Sequence, residues 1–166
     1  AASPTECAPG TFAATNRRPE CARCPAGTYQ NETGATDCRE CVAGSYCAEG
    51  ASAPLPCAAG TYSSATNLVA AGGCTDCPAG HFCPPQSTQP SPCAPGTFTA
   101  SEEQSICQYC PAGQYQNASG ATECKTCDAG HYCAAGASAP LPCPAGTRTN
   151  RSLDLMKSVD DCIVCA

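Results

Sequence analysis

The sequence predicts small disulfide-rich repeats: short β-hairpins and turns stacked into an elongated array, with almost no helix. Three observations lead there. Nineteen of the 166 residues are Cys, alongside 15 Gly and 16 Pro. A Cys-x-x-Gly-x-aromatic motif recurs along the whole chain. Large apolar side chains are scarce, because the 42% hydrophobic fraction is mostly Cys and Ala, with three Phe, six Tyr, one Met and no Trp. A chain of this length normally buries a continuous core of such side chains, so here cross-links must hold much of the fold.

The motif begins at Cys7, Cys24, Cys41, Cys57, Cys77, Cys93, Cys110 and Cys127, and a ninth copy at Cys143 carries Arg148 at the aromatic position. Eight of the nine aromatics (Phe12, Tyr29, Tyr46, Tyr62, Phe82, Phe98, Tyr115 and Tyr132) fill that one position. Each motif Gly reads as a turn residue at positive φ, and each aromatic as part of a short strand. Cys24 to Gln30 reads as a strand, Asn31 to Gly34 as a turn, and a return strand is expected to end at Cys38. Gly, Pro and Cys interrupt the chain too often for long helices. The best helical candidate is Ser152 to Val159, long enough for one or two turns.

A longer repeat contains these short ones. Displacing the chain by 86 residues aligns Cys7 with Cys93 and continues to Cys57 with Cys143, and Gly50 to Cys57 recurs unchanged as Gly136 to Cys143. An internal duplication follows, with 7–92 as the first repeat and 93–166 as a second repeat truncated at its C-terminal end.

Thiols at this density persist as bridges only in an oxidising space, so the expected location is extracellular or the cell surface, reached through the secretory pathway. The net charge of −6 comes without basic runs and argues against nucleic acid as a partner. No stretch is apolar enough to span a bilayer, and Ala1 to Pro4 lacks the pattern of a signal peptide, so removal of a signal or a longer parent protein is expected.

Cys24-Pro25-Ala26-Gly27-Thr28-Tyr29, running on to Cys38-x-x-Cys41 and another Cys-x-x-Gly, resembles the ephrin-receptor-like cysteine-rich repeat. That repeat is related to the cysteine-rich modules of growth-factor and tumour-necrosis-factor receptors. The resemblance extends from Cys7 to Cys165. It implies a non-catalytic extracellular module of the kind found in receptor ectodomains, in large surface proteins of protists and algae, and in filament proteins of flagellar-hair type.

The cysteines admit a rival chemistry. Cys21-x-x-Cys24 with Cys38-x-x-Cys41, and the equivalent set at Cys107, Cys110, Cys124 and Cys127, have the spacing of four-thiolate zinc sites. Pro25, Pro78 and Pro111 follow a motif Cys directly and lack the N–H that stabilises a zinc-bound thiolate, so no metal and no other cofactor is expected. As bridges, the 13-residue loops predict Cys7–Cys21, Cys24–Cys38 and Cys110–Cys124. Where the spacing changes, crossed pairs are expected: Cys41–Cys57 with Cys47–Cys74, Cys77–Cys93 with Cys83–Cys107, and Cys127–Cys143 with Cys133–Cys162. Cys165 is left unpaired within the chain.

Asn31, Asn117 and Asn150 begin Asn-x-Ser/Thr sequons, and the first two precede Gly34 and Gly120 in predicted turns, where glycans are expected. His81 and His131, the only histidines, lie at equivalent positions and read as exposed strand residues. No catalytic constellation converges, so the chain is not expected to be an enzyme. Two functions remain. The first is an extracellular structural segment, a glycosylated rod that scaffolds a filament, coat or flagellar-hair-like assembly by self-assembly or contact with neighbouring repeats. The second is a receptor or adhesion ectodomain whose repeats bind a protein ligand.

Overall fold

A computed structural model describes residues 6–14 and 20–165. The chain forms two compact units, one of Ala1–Asp76 with Cys83–Gln89 and the other of Cys77–Phe82 with Pro90–Ala166.

Among the described residues every sheet is a two-stranded antiparallel hairpin. Wholly within the first unit, β1 (Thr11–Phe12) pairs with β2 (Ala22–Arg23), β3 (Thr28–Tyr29) with β4 (Arg39–Glu40), β5 (Ser45–Tyr46) with β6 (Leu55–Pro56), and β7 (Thr61–Tyr62) with β8 (Thr75–Asp76). In the second unit β9 (His81–Phe82) pairs with β10 (Ser91–Pro92), β11 (Thr97–Phe98) with β12 (Gln108–Tyr109), and β13 (Gln114–Tyr115) with β14 (Lys125–Thr126). Two further pairs complete it: β15 (His131–Tyr132) with β16 (Leu141–Pro142), and β17 (Thr147–Thr149) with β18 (Cys162–Val164). The return strand β4 therefore begins just after Cys38 instead of ending on it. Ser152 to Val159 forms turns rather than a helix, followed by a single 3-10 turn at Val159–Asp161.

Each hairpin opens with the same turn. In Pro25-Ala26-Gly27-Thr28 the Thr28 N–H donates to the Pro25 carbonyl at 3.1 Å and its hydroxyl donates to the same oxygen at 2.7 Å. Gly27 at φ +87° supplies the left-handed third residue that a type II turn requires. The turn aims the glycine N–H at the following hairpin. In the first unit Gly10 donates to the Gln30 carbonyl, Gly27 to Cys47 and Gly44 to Ser63. In the second, Gly80 donates to Thr99, Gly96 to Gln116 and Gly113 to Cys133. Other backbone bonds run backwards, from Gly34 to the Cys7 carbonyl, from Gly50 to Cys24 and from Gly136 to Cys110. Within each unit hairpins thus bind their sequence neighbours, the pattern of a repeat protein.

The core is made of sulfur. Among the described residues the buried apolar side chains are ten cysteines and Met156. The bridges are Cys7–Cys21, Cys24–Cys38, Cys41–Cys47, Cys57–Cys74, Cys93–Cys107, Cys110–Cys124, Cys127–Cys133 and Cys143–Cys162. Cys77 and Cys83 are also disulfide-bonded, and Cys165 is free and exposed.

The crossed pairs expected from the irregular spacings do not form. Cys41–Cys57 and Cys47–Cys74 give way to Cys41–Cys47 and Cys57–Cys74. Cys127–Cys143 and Cys133–Cys162 give way to Cys127–Cys133 and Cys143–Cys162. Cys93–Cys107 excludes both Cys77–Cys93 and Cys83–Cys107. The reason is the residue that follows the aromatic. Its side chain is buried in the hairpin whether it is Cys47, Cys133, Gln30, Ser63, Thr99 or Gln116. A Cys there meets the first Cys of its own hairpin, with Cα atoms 5.9 Å apart at Cys41–Cys47, within ordinary bridging distance.

Candidate functional site

The sequon turns are the candidate functional features, and they are positioned by the buried residue just described. Gln30 is 2% exposed; its Nε2 donates to the Asp37 carbonyl at 2.8 Å, and its Oε1 accepts the Glu32 N–H at 2.9 Å. Gln116 does the same with the Glu123 carbonyl and the Ala118 N–H. A buried amide with both ends bonded fixes the loop around it. Asn31 and Asn117 each follow such a glutamine directly and are exposed. Sequence reasoning overlooked these glutamines, although both stand directly before a sequon at equivalent positions.

The two turns differ in their electrostatics. Arg39 donates to the Glu32 carboxylate at 2.6 Å across the first, and this partner raises the guanidinium pKa above its ordinary value. Both groups are largely exposed, so the pair adds little stability. In the second turn Ala118 replaces the acid, and Lys125 Nζ donates to the Asn117 Oδ1 at 2.8 Å. Asn150 differs from both: it is half-buried, and its Oδ1 accepts the Ser152 N–H at 3.0 Å in a local turn.

Bridged sulfurs carry no thiolate, so Cys21, Cys24, Cys38 and Cys41 are divided among three disulfides and do not converge on one ion. Among the described residues no three His, Cys, Asp or Glu side chains are grouped to hold a metal. His81 and His131 lie half-buried in β9 and β15, each with Nδ1 at 3.3 Å from the carbonyl oxygen two residues earlier. No described helix is long and apolar enough to cross a membrane.

Residues 10–53 and 96–138 match the family described as tyrosine-protein kinase ephrin type A/B receptor-like. The two segments begin one 86-residue period apart and together cover just over half of the chain. The chain belongs to this family. A comparison with curated proteins finds no relative that matches. The family is a receptor-like, disulfide-rich repeat, and membership together with the bridges points to an extracellular or surface domain.

Proposed function

We propose that this chain is a non-enzymatic segment of an extracellular structural protein: a disulfide-stapled, glycosylated rod that scaffolds a filament, surface coat or flagellar-hair-like assembly. One observation carries the reading. The same backbone hydrogen bonds recur from hairpin to hairpin within each unit, made by the same motif positions. Uniform repetition serves stiffness and length, whereas a recognition surface draws its specificity from a local, asymmetric cluster of anchors. The exposed Asn31 and Asn117, held on turns braced by Gln30 and Gln116, support glycan attachment there; Asn150 is the less accessible acceptor.

The family's receptor-like description favours a second reading, a receptor or adhesion ectodomain that binds a protein ligand. Small-angle scattering of the dilute chain tests the first. A compact chain of this length has a radius of gyration of about 15 Å; the rod requires a much larger value, and a result near the compact figure overturns it. Mass measurement before and after glycosidase treatment of protein from a eukaryotic secretory host tests the glycans, with loss of mass on peptides containing Asn31 and Asn117 as the expected outcome.

A further inference from the structure

The three sequon asparagines differ in what their side-chain oxygen meets. Asn117 Oδ1 accepts a hydrogen bond from Lys125 Nζ at 2.8 Å. Asn150 Oδ1 accepts the Ser152 N–H at 3.0 Å, a bond made within its own turn. Among the described residues Asn31 makes no side-chain hydrogen bond, although Arg39 stands where the second period has Lys125. Strand register puts the two bases in the same place: Arg39 is paired with Tyr29 across β3 and β4, and Lys125 with Tyr115 across β13 and β14.

One exchange decides where the base goes. The middle residue of the first sequon is Glu32, whose carboxylate takes Arg39 at 2.6 Å and holds it away from Asn31. The middle residue of the second is Ala118, whose side chain offers no acceptor, and Lys125 turns to the asparagine itself. The backbones do not account for the difference, because Gln30 and Gln116 brace the two turns with the same pair of bonds. N-glycosylation replaces one hydrogen on Nδ2 and leaves the Oδ1 lone pairs, so the bond from Lys125 is compatible with an attached sugar. The ammonium donor makes that bond charge-assisted.

We propose that Lys125 is a positioning residue for a glycan on Asn117, and that Glu32 leaves a glycan on Asn31 unanchored by occupying Arg39. The inference rests on the reading that both asparagines are glycosylated. Lys125 fixes the carboxamide that carries the sugar, and with it the direction in which the glycan leaves the turn. A glycan with a fixed stem meets a neighbouring molecule at a smaller cost in ordering. One with a free stem sweeps a larger volume over the turn that bears it.

The test is nitrogen relaxation of the asparagine side chains in the full chain, isotope-labelled and secreted by a eukaryotic host. A glycosylated asparagine keeps a single Nδ2–H, whose order parameter reports the mobility of the glycan stem. The value at Asn117 should lie near the rigid limit of about 0.85, and that at Asn31 below about 0.6. Lys125→Met should bring Asn117 down to the level of Asn31, Lys125→Arg should keep it high, and Glu32→Ala should raise Asn31 by releasing Arg39. Equal mobility at the two stems in the parent chain, or a value at Asn117 that ignores the loss of Lys125, overturns the proposal. A parallel loosening of the Ala118 backbone in Lys125→Met also overturns it, since Lys125 would then brace the turn and not the glycan. No rise at Asn31 in Glu32→Ala overturns the role of Glu32. A secreted chain without sugar at Asn117 removes the glycan reading and this inference together, whereas two glycans of equal mobility remove this inference alone.

Discussion

The hairpin from Cys24 to Glu40 and the hairpin from Cys41 to Pro56 share a turn, a strand pairing and a buried position after the aromatic, yet they are closed differently. In the first that position is Gln30, and Cys24 reaches Cys38 near the end of the hairpin. In the second it is Cys47, and Cys41 closes on it directly. Where the first hairpin has Cys38, the second has Pro54, and the same exchange gives Pro140 in the Cys127–Cys133 hairpin. The first Cys of a hairpin is thus the fixed partner, and either the residue after the aromatic or the residue three before the next motif Cys completes the bridge.

The largest expected effect comes from removing a long bridge. Replacing Cys24 and Cys38 together by Ser should cost about 3 kcal/mol, and replacing Cys41 and Cys47 somewhat less, because the shorter loop restrains the unfolded chain less. Chemical denaturation of each pair against the parent checks the order. A rearranged variant sharpens the comparison: Cys47→Gln with Pro54→Cys should convert the second kind of hairpin into the first, and peptide mapping should recover a bridge from Cys41 to the thiol introduced by the second substitution.

Next in size is the close approach of a backbone carbonyl to a motif glycine. Gly44→Ala combines a left-handed backbone with a Cβ driven to 2.5 Å from the Gln86 carbonyl, so its cost should exceed the about 1–2 kcal/mol of the backbone conformation alone. Gly130→Ala meets nothing and should cost only that amount; thermal melts of the two variants make the contrast. Gln30→Ala should then cost about 1–2 kcal/mol by leaving the Glu32 N–H and the Asp37 carbonyl without their partner, with faster amide exchange at Glu32 as the local sign.

The smallest effect concerns pH. The Lys157 and Ser158 N–H groups donate to the Asp161 carboxylate and hold its pKa below the ordinary carboxylate value. A pKa lowered by folding means that the stabilisation is present at neutral pH and is lost as the pH falls through the carboxylate range. Amide exchange at Lys157 and Ser158 should therefore accelerate in acid, and Asp161→Asn should remove that pH dependence without altering the global melt.

Most of the architecture was legible because it is carried by residues with one dominant use. Gly27 and its equivalents marked the turns, the aromatics marked the strands, and the 86-residue displacement marked the duplication that the two family matches repeat. The irregular bridges were misread because spacing alone does not say which way a side chain points. The deciding signal was present in Pro54-Leu55-Pro56-Cys57 and Pro140-Leu141-Pro142-Cys143, where Pro stands in the place of the absent Cys. Ser152 to Val159 was misread for a different reason: Met156 is buried and its carbonyl accepts the Cys133 N–H, so tertiary contact overrides helical periodicity there.

Each of the eight bridges from Cys7–Cys21 to Cys143–Cys162 described above lies inside one hairpin, and none of them crosses another. Under tension each such loop is removed from the extensible contour of the chain. Only the peptide between one bridge and the next can lengthen, so a pulled chain should yield in short, separate steps and re-form locally when the load is released.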